Sequence, residues 1–304
     1  MPENTTGAIL SNAARLKLAV PAFNVPYLPM MEPIVEALRE ARCFGLIQVA
    51  RLEWMKFKAG GLKAVRDAYA ACKDERFTRL HLDHVPVIDE DNSMVDYEAI
   101  ISEALELGYE SVMVDGSRLP LEDNISATRR VVELAHSARA SAEAELGAVF
   151  GHESGPLPPY EELFRSGRGF TDPAEAGRFA RETGVDWLSV AVGNIHGAIS
   201  GAAKSAKKTE ARLDIAHLDR IRSAVGPVPL VLHGGSGIRK DDILEGIAHG
   251  IAKINVGTTL RQAYESGLKI SVDEARKRTS EATAAVIRDE LEMAGSAGRL
   301  GIAG

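Results

Sequence analysis

Cysteine is scarce in this chain. Cys43 and Cys72 are the only two in 304 residues. That excludes a disulfide framework in a chain this long and reads as a protein of a reducing compartment. Long apolar runs are also missing. No stretch reaches the roughly 18 apolar residues of a membrane span. The opening segment, MPENTTGAILSNAARLKLAV, has no apolar run of signal-peptide length followed by a small-residue cleavage site. Positive charge is not concentrated either. Lysine and arginine total 36 against 43 aspartates and glutamates, a formal net charge of −7. With no basic block to track a phosphate backbone, nucleic acid is excluded as a partner, although a small anionic substrate needs only a local positive site. These absences together lead to the expectation of a soluble, cytoplasmic protein with no membrane partner.

What is present is a regular alternation. The chain is 45% hydrophobic and 26% charged, enough to bury a sizeable core. Short β-branched or apolar runs predict strands at Leu18–Val25, Gly45–Ala50, Phe77–Asp83, Ser111–Asp115, Ala142–Leu146, Trp187–Val192, Pro229–His233 and Ala252–Val256. Longer amphipathic stretches such as MMEPIVEALREA, ISATRRVVELAHSAR and DPAEAGRFARETG lie between them, and Gly108 and Gly184 sit where helices close. Eight strand–helix pairs in about 250 residues argue for one parallel (β/α)₈ TIM barrel. An open dinucleotide-binding sheet would place a glycine-rich turn after its first strand, and AFNVPYLPMM has none. We expect a single domain, with the barrel at about residues 16–270 and a helical tail over 271–304 that contacts a neighbouring subunit. The connection Phe150–Thr171, with its clusters of proline and glycine, is long enough to read as a functional loop or lid.

In such barrels the chemistry sits at the C-terminal ends of the strands. Those ends read Asn24, Asp83-His84, Asp115, Glu145, Gly193-Asn194-Ile195-His196-Gly197, His233-Gly234-Gly235-Ser236-Gly237 and Asn255. Three of the eight histidines, His84, His196 and His233, therefore fall on one rim. A single histidine there is more often a hydrogen-bonded structural residue. Three together suit a metal with an open position, or else a cluster of general acids, and spacing does not separate these. The other five, His81 among them, read as strand, helix or loop residues. The HGGSG run after the seventh strand and NVGTT after the eighth are suited to hold a phosphate through backbone N–H groups and hydroxyls. One geometric tension remains. Neighbouring residues of a regular strand face opposite ways, so Asp83 and His84 share a site only if the strand ends there.

The runs AFNV, LHLDH, VMVDGSRLPLEDNI, AEAELGAV, TDPAEAGRFARETGVDWLSVAVGNIHG, LVLHGGSGI and KINVGTTLR resemble, in order, the class II fructose-bisphosphate and tagatose-bisphosphate aldolase family. The resemblance implies metal-dependent retro-aldol cleavage of a phosphorylated ketose to dihydroxyacetone phosphate, or a similar ketone, and an aldehyde through a zinc-stabilised enediolate. It implies that His84, His196 and His233 bind Zn2+, with Glu145 as a secondary ligand, and that Asp83 is the acid/base on the hydroxyl beside the scissile bond. Glu153 is implied as the proton donor at carbon. Asn24, Asp115 and Asn255 are implied in substrate binding, and Gly197, Gly234, Ser236 and Thr258 in the phosphate site, where some members hold a monovalent cation (Na+ or K+); Gly235 joins them from the reading of the HGGSG loop. A homodimer or homotetramer is implied as well. The chain departs from the family pattern at Ala50-Arg51, where many members have serine, and at Gly257. These departures leave open an aldolase for a non-fructose ketose, or a catalytically silent sugar-phosphate-binding protein.

Overall fold

The computed structural model describes residues 5–149, 158–195 and 211–302. Eight parallel strands close into a barrel in the order β1 to β8, with β1 pairing β8. They are β1 (Val20–Asn24), β2 (Gly45–Ala50), β3 (Thr78–Pro86), β4 (Ser111–Asp115), β5 (Ser141–Leu146), β6 (Trp187–Val190), β7 (Leu230–Leu232) and β8 (Ile251–Val256). The expected barrel is therefore present, each strand lying within a few residues of its expected place.

Alternation along the strands divides the core in two. Leu80, Leu82, Val112, Val114, Ala142, Ala144, Leu188, Val190, Leu230 and Leu232 are buried and apolar, and belong to the layer between barrel and helices. Alternating with such residues along the strands are His81, Asp83, Ser111, Glu143, Glu145, Ser189, Lys253 and Asn255, all buried as well. Barrel interiors are ordinarily filled by branched apolar side chains. This one is filled largely by polar groups, which must find partners among themselves.

The helices cap in ordinary ways. The carboxylate of Asp172 accepts from the N–H groups of Ala174 and Glu175, ahead of Pro173–Thr183, and Gly184 closes that helix in the left-handed conformation. A helix at Thr6–Leu16 precedes the barrel, and Thr258–Leu268, Val272–Ala285 and Ser296–Arg299 follow it, the middle one packed on Met31–Glu40. The Phe150–Thr171 connection differs from its reading as an unbroken loop: Tyr160–Ser166 is a helix, closed by Gly167 in the left-handed conformation. Among the described residues, no helix is long and apolar enough to cross a membrane.

Candidate active site at the barrel mouth

A cavity of about 520 Å³ opens at the C-terminal ends of the strands. Asn24, Asp83, His84, Asp115, Glu145, Gly234, Ser236, Asn255 and Thr258 all line it. His233 lies just below, fully buried. Gly235 is placed differently from its expected part in the phosphate site. Its N–H donates to the Asn255 carbonyl at 3.2 Å, and a side chain there would strike Ile254 and that same carbonyl. It packs β7 against β8, while Gly234, with φ of +67°, makes the turn into the cavity. Glu153, His196 and Gly197 lie outside the described residues.

The Asp83-His84 tension is resolved otherwise than expected, because β3 does not end there. From Leu82 to Val85 the strand advances three residues while β4 advances two, from Val112 to Val114. One extra residue is therefore accommodated, and His84 takes φ of +30° to do so. Such a bulge re-aims a side chain without breaking the sheet. Asp83 and His84 consequently face the same cavity, while Val85 returns to the apolar layer. A non-glycine residue held at positive φ is strained, and strain of this kind concentrates at functional sites.

Asp83 is held by two amides. Asn24 Nδ2 donates to Oδ2 at 2.9 Å and Asn255 Nδ2 to Oδ1 at 3.0 Å. Asn24 is itself oriented by Gln48, whose Nε2 donates to Asn24 Oδ1 at 2.8 Å. Burial opposes ionisation, but the charges of His84, Lys253 and His233 outweigh it and hold the Asp83 carboxyl below its usual range. Its oxygens are thus fixed, ionised and adjacent to the cavity.

Among the described residues, two sets of side chains bring metal-ligating atoms within 4.8 Å of one another: Asp83, His84 and His233, and His84, Asp115 and Glu145. His84 Nδ1 lies 3.3 Å from Asp115 Oδ2, and Asp115 in turn accepts from the Ser117 hydroxyl at 2.6 Å. Burial would keep His84 neutral, yet Asp83 and Asp115 raise it to about 10. Asp115 is correspondingly depressed, its burial outweighed by His84 and Ser117. His233 is raised too, because Glu143 and Glu145 outweigh burial and His84. The carboxylates that draw protons onto these imidazoles would equally favour a divalent cation, which would displace those protons on binding, so the cluster could hold one. A mixed imidazole and carboxylate donor set suits the borderline first-row metals.

Beneath this lies a network that sequence reasoning missed. Glu143 Oε1 is 2.8 Å from His233 Nε2, and its Oε2 accepts from Lys253 Nζ at 2.7 Å and Trp187 Nε1 at 2.5 Å. His81 Nε2 is 3.3 Å from the same oxygen, and His81 Nδ1 lies 2.9 Å from the Ser111 hydroxyl. All six are buried. Burial raises and Lys253 lowers the Glu143 carboxyl, and the cation, joined by His233 and His81, holds it well below the ordinary range. Glu145 Oε2 sits 2.9 Å from the other ring nitrogen, Nδ1 of His233. The two glutamates of AEAEL thus address opposite sides of one imidazole, Glu145 from the cavity and Glu143 from the core. The signal was available: Glu143, His81 and Lys253 each stand two residues before a rim residue and so share its face.

A second residue missed is Glu53, in the short helix Arg51–Lys56 after β2. It lines the cavity, and its Oε2 accepts from Ala50 N at 2.8 Å and Asn24 Nδ2 at 3.4 Å. Burial pushes its carboxyl up to about 8. The Arg51 that breaks the family pattern forms an ion pair with Asp89 on the same wall.

Residues 4–299 match the family model described as fructose-bisphosphate aldolase class-II. Among solved structures, the YdjI aldolase from Escherichia coli K12 is 28% identical with a TM-score of 0.73, over 96% of this chain and 98% of that one. Fructose-bisphosphate aldolase from Campylobacter jejuni is 19% identical with a TM-score of 0.71, over 94% of each chain, which speaks to the fold.

Proposed function

The chain belongs to the class II fructose-bisphosphate aldolase family, and we propose that it makes and breaks the carbon–carbon bond of a phosphorylated ketose, yielding dihydroxyacetone phosphate or a close analogue and an aldehyde. The observation that carries this reading is the Asp83 carboxylate, gripped by Asn24 and Asn255 beside His84 and His233 at the cavity floor.

A zinc ion would be held by His84, His233 and His196, with Glu145 as a further ligand. When bound it supplies a Lewis acid for the ketone oxygen. Asp83, kept ionised by its charged neighbours, takes the proton from the hydroxyl beyond the scissile bond. That oxygen becomes the aldehyde carbonyl as the bond breaks, and the bonding electrons stay with the ketone fragment. Glu153 returns a proton to its carbon, a role that rests on the resemblance alone. Asn24 and Asn255 prevent Asp83 from swinging away, which matters because a base must sit within hydrogen-bond reach of its proton. Gly197, Gly234, Ser236 and Thr258 would hold the phosphate, and a monovalent cation bound there would supply further positive charge.

Deuterium wash-in at the α-carbon of dihydroxyacetone phosphate tests the assignment. Asp83→Asn should lose cleavage by about 10²–10⁴-fold while retaining much of the exchange, whereas Glu153→Gln should lose both. Chelation should abolish exchange, and dihydroxyacetone should bind far more weakly than its phosphate. Full turnover in a metal-free preparation would remove the reading.

A further inference from the structure

Glu53 has a place in the cavity that the assigned chemistry leaves unused. It follows β2, three residues beyond Ala50, whose backbone is in register with Asp83. Only 8% of it is exposed. Asn24 Nδ2 lies between the two carboxyl groups, 2.9 Å from Asp83 Oδ2 and 3.4 Å from Glu53 Oε2. Oε2 also accepts from the Ala50 N–H. Among the described residues Oε1 has no hydrogen-bond partner. That oxygen opens onto the cavity and is available to a polar group of a ligand.

Its position says which part of a ligand that would be. In the closed barrel the phosphate loops after β7 and β8 stand across from β3 and β4. A ketose anchored there crosses the floor and presents its aldehyde half to Asp83 and the β2–β4 wall. Glu53 stands beside Asp83 on that wall. In either protonation state a carboxyl group can bond a hydroxyl, which donates and accepts. A phosphate offers mainly acceptors. The Ala50 N–H is already taken by Glu53, and the Arg51 guanidinium is paired with Asp89. Two further arginines line the cavity: Arg118 bonds the Asp89 carbonyl and Asn92 Oδ1 at the exposed rim, and Arg261, over the Phe57 ring, is paired with Glu265.

We infer that Glu53 selects the aldehyde half of the substrate: it binds a hydroxyl of an uncharged hydroxyaldehyde, and the wall around it does not take a second phosphate. The inference rests on the aldolase reading above and narrows its substrate class to ketose monophosphates.

The test is condensation of dihydroxyacetone phosphate with glyceraldehyde, propanal and glyceraldehyde 3-phosphate by the zinc-loaded protein, its Glu53→Ala variant and its Glu53→Gln variant. The parent should prefer glyceraldehyde to both rivals in kcat/KM. Glu53→Ala should cut the glyceraldehyde-to-propanal ratio by about 10–100-fold, the worth of a hydrogen bond to a charged or strongly polar group. Glu53→Gln, which keeps an acceptor, should restore most of that ratio. A parent preference for glyceraldehyde 3-phosphate would give the wall to an anion, through Arg118, and overturn the inference. So would an unchanged ratio in Glu53→Ala. Should that variant not fold, the parent's selectivity and the Glu53→Gln ratio decide alone. Deuterium wash-in on dihydroxyacetone phosphate involves no aldehyde. Its absence in the parent would defeat the aldolase reading itself, whereas normal wash-in with the wrong aldehyde preference defeats only this inference.

Discussion

Replacing Lys253 with methionine is the sharpest probe of the polar core. Methionine fills nearly the same volume, so the change is electrostatic. Lys253 is fully buried, and its Nζ is 2.7 Å from Glu143 Oε2. Without it the carboxylate keeps the neutral donors Trp187 and His81, and His233, whose proton it shares with Glu145, but loses its fixed counter-charge. Breaking a buried pair from one side costs about 3–5 kcal/mol. For 304 residues at about 2.1 cal/mol/K each, the unfolding entropy near the midpoint is about 0.6 kcal/mol/K. The expected fall in Tm is therefore about 5–8 °C. Adding Glu143→Gln removes the stranded charge while leaving an acceptor for His233. The double variant should accordingly be more stable than the two losses summed, with a coupling of about 2 kcal/mol or more. Calorimetry with a chelator present measures this without a contribution from bound metal. A Tm within about 1 °C of the parent for Lys253→Met, or additivity in the cycle, would refute the claim that the pair acts as one charged unit.

Three further outcomes are expected. His84→Ala and His233→Ala should each weaken zinc binding by at least about 100-fold, read by competition with a coloured chelator; retained affinity in either would move the metal elsewhere. Glu53 gives a pH signature, because its folded value of about 8 stands above the ordinary 4.5. The folded chain then holds an extra proton between those values, so stability is greatest below the window and falls by up to about 1.4 kcal/mol per pH unit as pH rises through it. Glu53→Gln should therefore gain Tm relative to the parent from pH 5 to pH 8, and a constant difference would contradict the burial argument. Sedimentation should give a dimer or tetramer at micromolar concentration, in keeping with Leu268, Ile270 and Val272, which stand exposed around the turn between the last long helices; a monomer would contradict it.

The barrel was legible in the amino-acid order because strand and helix periods are local. Runs such as GLIQVA and SVMVD announce buried parallel strands, and closing glycines such as Gly184 mark where helices stop. The rim was legible for the same reason: once β3, β7 and β8 are placed, His84, Gly234 and Asn255 fall within two residues of their C-terminal ends. Three things were settled only by the tertiary structure. The bulge at His84 arises because β4 advances two residues where β3 advances three, a property of a pair of strands and of neither alone. The bonds of Glu143 to Lys253 and His233 span 110 and 90 residues. The alternation puts these residues on the inward face, but only closure of the barrel makes partners of them. Nothing in the local run ARLEWMK singles out Glu53. The packing of that helix against β2 and β3, with Asn24 reaching across from β1, turned its carboxyl group inward beside Asp83. Residue types and periods are written along the chain. Which buried charge meets which is decided where distant segments close on one another and water is excluded.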